Sequence, residues 1–198
     1  MAMSYQAKPL PFTKKLTGIS QKTLVIHHDK LYAGYVAKKN EIEEKLQQAD
    51  NATANQTYSE LRALKADETF AANGVYLHEG YFEALGGDGK ATGELADALQ
   101  EKFGNLEAFQ ARFKACGMAA RGWAVLAWDT NDRQLHIYTA DAHNQGGIWG
   151  AVPLIVLDVY EHAYFMDYGS DRGAYIDDFF KNLDWVTANE KFATLKRS

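Results

Sequence analysis

The apolar positions change their period once along the chain. Between Gln21 and Gln48, Leu24, Leu31, Tyr35, Val36 and Ile42 recur at helical spacing, with no proline and one glycine, Gly34. That pattern predicts a single long helix, bent near Gly34 and capped by Ser20 or Thr17. Residues 1–19, with Pro9 and Pro11, read as an extended arm. A polar loop over 49–57 leads to two further helices, 58–65 and 67–85, the second carrying a stripe of Phe70, Leu77, Tyr81, Phe82 and Leu85. Gly86-Gly87-Asp88-Gly89 stops it. Two more helices follow over 93–103 and 105–118, with Leu106, Phe109 and Phe113 marking the buried side of the second. β-forming residues then dominate Trp123–Trp128 and Gln134–Thr139, joined by the turn material Asp129–Asp132. Val152–Leu157 supplies a third strand, and short helices over 161–168, 172–181 and 184–194 close the chain.

These elements predict an α+β fold. A helical domain over 1–86 precedes an α+β domain over 87–198, the latter built on a small three-stranded antiparallel sheet packed among helices. The Gly86–Gly89 turn is the boundary. It lacks the preceding strand and the spacing of a phosphate loop, so it reads as a helix stop.

Composition narrows the function classes. The chain has 198 residues, 46% of them hydrophobic, and a net charge of −5. The acidic balance argues against nucleic acid as a partner, yet leaves room for a local positive funnel that attracts a small anion. Cys116 is the one cysteine, so no internal disulfide can form. No apolar run is long enough to span a membrane, and the N-terminus lacks a signal pattern. A cytoplasmic protein is the simplest expectation.

The chemistry concentrates in histidines. Asp158 ends the third strand and His162 follows four residues later, a spacing that presents an oxygen and a nitrogen on one side. On its own this pair is better read as a capping aspartate and a surface histidine than as half of a metal site. His27 and His78 lie among apolar neighbours on two separate helices, where a histidine is usually a satisfied core residue. Together the four make a three-imidazole, one-carboxylate set. Such a set suits iron, manganese or zinc, and the absence of thiolate from it argues against copper(I) or iron–sulfur chemistry. Spacing alone does not say that they converge.

Larger blocks carry a resemblance. They are His27-His28-Asp29-Lys30 with Tyr35, Asn73-Gly74-Val75-Tyr76-Leu77-His78, Gly122-Trp123-Ala124, Asp158-Val159-Tyr160-Glu161-His162-Ala163-Tyr164, Arg172-Gly173-Ala174-Tyr175-Ile176 and Asn182-Leu183-Asp184-Trp185. In this order and spacing the chain closely resembles the iron/manganese superoxide dismutase family over nearly its whole length. The resemblance implies an N-terminal hairpin of long helices and one iron or manganese ion per subunit, with either metal able to serve. It implies ligation by His27, His78, Asp158 and His162, and superoxide, a small anion, as substrate. Tyr35 matches the tyrosine over the substrate channel, and Trp123 an aromatic packed on the metal site. Glu161 matches a residue that reaches His162 of the partner subunit in a homodimer.

The departures are specific. Gly74 stands where some members carry a glutamine that bonds the metal-bound solvent. Others supply that group after the second strand, where this chain has His143, with Gln145 as the backup. Histidine there can change its proton state near neutrality, which glutamine cannot. Leu31 and Phe165 replace a histidine and a tyrosine that usually bond across the dimer interface, and Tyr160 replaces a tryptophan. The competing expectation is a non-catalytic metal-binding or interaction protein on the same fold. A zinc hydrolase is a third reading, and lacks an evident general base beside the ligands.

Overall fold

The computed structural model describes residues 4–197. Residues 1–3 of the expected arm lie outside them. The first helical stretch comprises α1 (Gln21–Val25), a π-helical segment (Ile26–Tyr32) and α2 (Ala33–Leu46). Ser20 caps it, its side chain accepting from the Thr23 amide. The sequence predicts a bend at Gly34; the irregularity falls instead on the π-helical segment just before it. The physical consequence reaches the site. Eight α-helical residues advance about 2.2 turns, which would put Tyr35 roughly 80° off the face of His27. The wider i→i+5 winding turns less per residue and carries Tyr35 back toward that face.

The second correction concerns the next helix. The expected pair over 58–65 and 67–85 is one helix, α3 (Glu60–Glu83), capped by Ser59. Nothing between Lys65 and Asp67 breaks a helix, so the pair merges. The helical stretch through α2 packs along α3 as an antiparallel hairpin. The arm lies across it. The Tyr5 amide donates to Asn40 Oδ1 at 2.8 Å, and Leu16 and Ile19 are buried.

After α4 (Gly93–Phe103) and α5 (Leu106–Ala119) come β1 (Trp123–Asp129), β2 (Gln134–Ala140) and β3 (Ala151–Asp158). All pairs are antiparallel in the order β2-β1-β3. The central strand β1 is buried along its whole length, which explains its apolar run from Trp123 to Trp128. Trp123 pairs with Ala140 on one side and Asp158 on the other. The register therefore puts Trp123, the end of β2 and the end of β3 side by side. Past β3, Glu161–Ala163 forms a 3-10 turn, followed by α6 (Phe165–Tyr168), α7 (Arg172–Lys181) and α8 (Trp185–Arg197). His162 thus sits on a tight turn and not on a regular helix. α3 packs on β3, so the metal-capable residues of the hairpin meet those of the sheet.

Candidate metal centre

His27, His78, Asp158 and His162 each present one ligand atom, and the four atoms lie within 4.8 Å of one another. Asp158 is the hub. Its Oδ1 accepts the Tyr160 amide at 2.9 Å, which leaves Oδ2 turned to the imidazoles. His27 Nε2 and His162 Nε2 each lie 3.1 Å from Oδ2, and His78 Nε2 lies 3.7 Å away. The main chain of Asp158 is pinned as well, its carbonyl accepting the Tyr175 hydroxyl at 2.8 Å. His27, His78 and Asp158 are buried, and His162 is partly exposed.

The protonation states suit a cation. His78 Nδ1 donates to the Gly74 carbonyl, so its Nε2 is the bare nitrogen. That Nε2 is buried and has no hydrogen-bond partner among the described residues. A buried lone pair without a donor is costly, and an electrophile at this point would satisfy it. Burial lowers the pKa of His27, and lowers that of His78 to about 3. Both rings are therefore neutral ligands at physiological pH. Burial acts to raise the pKa of Asp158, but hydrogen bonds from His162 and His27 hold it far below the carboxylate range. At His162 burial opposes protonation, and the Asp158 carboxylate outweighs it and raises the pKa. Three imidazoles and an ionised carboxylate around one point fit an iron or manganese ion.

A second group, Asp129, Asp132 and His136, also brings its ligand atoms within 4.8 Å. There the valences are filled. Asn131 and Tyr138 saturate Asp129, and His136 bonds Asp132 at 2.8 Å. It is a closed hairpin-turn network.

Around the four-residue centre stands an aromatic wall. Tyr35 lies 5.3 Å from the His78 ring, and Trp123 5.1 Å from it, edge to face. His143 is buried in the turn after β2. Its Nε2 lies 2.7 Å from the Tyr35 hydroxyl, and its Nδ1 accepts the Trp123 indole N–H at 3.0 Å. Burial lowers the His143 pKa, which favours the neutral ring at pH 7. Gln145 is exposed. At Gly74 a Cβ would meet the Tyr35 ring at 2.7 Å, so the Tyr35 ring occupies the space a side chain there would need. The Tyr160 ring stacks on His162 at 5.4 Å, and its hydroxyl reaches the Asp141 carbonyl. Phe70, 4.5 Å from His143, completes the wall; helical spacing marked it only as part of a core stripe.

Sequence reasoning missed one neighbouring feature. Glu79, next to His78, is buried and accepts from Tyr5 at 3.0 Å, from Tyr32 at 2.8 Å and from Lys8 at 2.5 Å. Only the lone charge in an apolar helix stripe hinted at it.

Fold and site together define an α+β protein with a mononuclear metal centre, set between a helical hairpin and an antiparallel sheet. Residues 4–86 match the alpha-hairpin domain of the iron/manganese superoxide dismutases, and 91–191 match their C-terminal domain. The chain belongs to the iron/manganese superoxide dismutase family. It is 47% identical over 184 residues to an iron superoxide dismutase of Aquifex pyrophilus, covering 90% of this chain and 86% of the relative. It is 39% identical to an iron enzyme of Cupriavidus metallidurans, covering 98% and 100%, and 38% identical to a manganese enzyme of Halobacterium salinarum, covering 95% and 94%. Relatives of both metal types are therefore similar along nearly the whole chain.

Proposed function

We propose that this chain disproportionates superoxide to dioxygen and hydrogen peroxide at one iron or manganese ion held by His27, His78, Asp158 and His162. The observation that carries the reading is the partnerless, buried Nε2 of His78, facing an ionised carboxylate oxygen that two further imidazoles share. When bound, iron or manganese supplies a one-electron couple able to accept an electron from one superoxide and return it to another. The protein residues do the rest. Neutral His27 and His78 give lone pairs, and Asp158 supplies the negative charge that favours the higher oxidation state. Tyr35 stands beside the centre with its hydroxyl on His143 and hands protons to the departing peroxide, which needs two. The aromatic wall of Trp123, Tyr160 and Phe70 keeps bulk water from the reacting atoms.

The chain acts as a homodimer in this reading. Glu161 is exposed, one residue before His162, and Phe165 and Met166 expose apolar surface beside it. Glu161 then reaches His162 of the partner subunit and fixes its tautomer. Leu31 and Phe165 make that interface apolar where the family usually has a polar pair. The two domains divide at the Gly86–Gly89 turn, 1–86 and 87–198. No helix among the described residues is long and apolar enough to cross a membrane. A cytoplasmic location suits the single cysteine. The non-catalytic alternative has no observation in its favour.

The test is metal loading. Protein reconstituted separately with iron and with manganese is assayed for superoxide disproportionation and analysed for metal. About one ion per subunit with activity supports the reading; stoichiometric metal without turnover in either form overturns it. Peroxide treatment of the protein as isolated then indicates which metal it carries, since iron forms are typically the sensitive ones.

A further inference from the structure

Three side chains form an ordered hydrogen-bond chain whose direction is fixed at one end. Trp123 is fully buried, and its indole nitrogen can only donate. It lies 3.0 Å from His143 Nδ1. Nδ1 must therefore be the bare nitrogen of a neutral ring, and the ring proton sits on Nε2. That proton points along the 2.7 Å contact to the Tyr35 oxygen. The phenol oxygen thus accepts from His143, and its own proton must go elsewhere. Among the described residues no protein acceptor takes it. Tyr35 packs against the ring of the site residue His78, so the free donor opens on the site.

We propose that Trp123 is a positioning residue: by donating to His143 Nδ1 it holds His143 as the Nε2–H tautomer, and so orients the Tyr35 hydroxyl as a donor toward the reacting anion. This deepens the reading above and rests on it for the identity of that anion. An imidazole brings a restriction that an amide does not. A glutamine amide has two N–H bonds and can serve two acceptors at once, whereas neutral His143 has one. With that one committed to Tyr35, His143 has no second N–H to offer another acceptor. Without the indole donor, His143 can place its proton on either nitrogen. With the proton on Nδ1, a bare Nε2 would draw the Tyr35 proton away from the site.

The test reads tautomers directly. Full-length protein is labelled with nitrogen-15 and loaded with zinc(II), which is diamagnetic and accepts His and Asp ligands. The expected spectrum shows His143 with a protonated Nε2 and a bare Nδ1, and a nitrogen–nitrogen coupling between Trp123 Nε1 and His143 Nδ1 across their hydrogen bond. A proton on Nδ1, or on both nitrogens, overturns the proposal. In Trp123→Phe the coupling is lost and the His143 signals shift toward a mixture of tautomers, while His27, His78 and His162 keep their tautomers. An unshifted tautomer in that variant also overturns it. Tyr35→Phe serves should Trp123→Phe not fold. There the tautomer persists, because Trp123 still donates, but the Nε2 proton exchanges faster with solvent. Loss of the tautomer in Tyr35→Phe would make the phenol the controlling group and sink the assignment to Trp123. None of these signals requires turnover. A zinc-loaded protein with the expected tautomer whose iron and manganese forms lack activity would fail the catalytic reading alone.

Discussion

His78 and Glu79 are consecutive, both buried, and surrounded in different ways. Around Glu79 every polar valence is matched: two phenols and an ammonium donate to the carboxylate, and the Lys8 amide donates to Tyr32 at 2.9 Å. Around His78 the chain leaves a nitrogen bare and gathers two more imidazoles on one carboxylate oxygen. One residue of helix, about 100° of rotation, separates them. The lesson concerns how a buried polar cluster is to be read. A saturated cluster joins segments of the chain, here the arm to the hairpin. An unsaturated one is a structure waiting for a ligand, because burying a lone pair unmatched costs about 1–3 kcal/mol that a stable fold would otherwise shed.

The largest effect should come from breaking the unsaturated side. Asp158→Ala removes the hub oxygen and the negative charge of the four-residue group that balances a cation. Metal content should fall to background, and superoxide disproportionation by on the order of 100-fold or more; losing even an outer partner of a ligand costs about 10–100-fold. Metal analysis and an activity assay on the purified variant check this. If the variant still bound about one iron or manganese per subunit, the contrast between the two clusters would be lost.

The saturated side answers with stability instead. Glu79→Ala strands two phenol hydroxyls and removes one of the anchors of the arm. A loss of about 2–3 kcal/mol is expected, in line with hydrogen bonds to a charged group, read from denaturant unfolding of the metal-free protein. Metal stoichiometry after reconstitution should be retained. Loss of metal without loss of stability would mean that Glu79 belongs to the centre and that the division drawn here is false.

Much of the metal centre was legible before any coordinates, and little of the other cluster was. His27, His78, Asp158 and His162 are marked by residue type, and a family resemblance linked them where spacing could not. Glu79 gives no comparable signal. Its partners Tyr5 and Lys8 lie more than 70 positions away on a segment with no periodicity, so only folding reveals them. The π-helical segment over Ile26–Tyr32 was equally hidden. Side-chain types do not encode i→i+5 winding, and the pattern pointed to Gly34 because glycine is the usual weak point of a helix. Sequence placed His143 after the second strand and suggested a group that titrates near neutrality. Burial and the Trp123 donor, both contributed by distant segments, argue for a neutral ring instead.

A smaller effect sharpens the contrast through pH. Burial, with a contribution from Glu79, pushes Tyr32 up to about 12. A phenol raised above its unfolded value of about 10 stabilises the fold fully below that pH, and the contribution is lost as pH rises through 12. The stability of the metal-free protein should therefore decline between about pH 10 and pH 12. Tyr138, also pushed up to about 12 by burial and its bond to Asp129, adds to the same limb. Tyr32→Phe should make that limb shallower, as followed by denaturant midpoints across the range. An unchanged slope would mean that Tyr32 ionises as easily folded as unfolded, and that its place in the cluster is looser than its geometry.

The smallest expected effect tests what kind of saturation the Glu79 cluster has. Lys8 is half exposed, its side chain 54% accessible, whereas Glu79 is buried. An ion pair open to water on one side contributes about 0–1 kcal/mol, screened by salt. Lys8→Met keeps the length of the side chain and removes the charge. The carboxylate keeps both phenol donors, so a loss of about 1 kcal/mol or less is expected, shrinking as ionic strength rises. Metal content and activity should not change. A loss equal to that of Glu79→Ala would show that the ammonium and not the phenols matches the buried charge. The cluster would then be an ion pair decorated by hydroxyls, and saturation by hydrogen bonding would no longer be what separates it from the centre beside it.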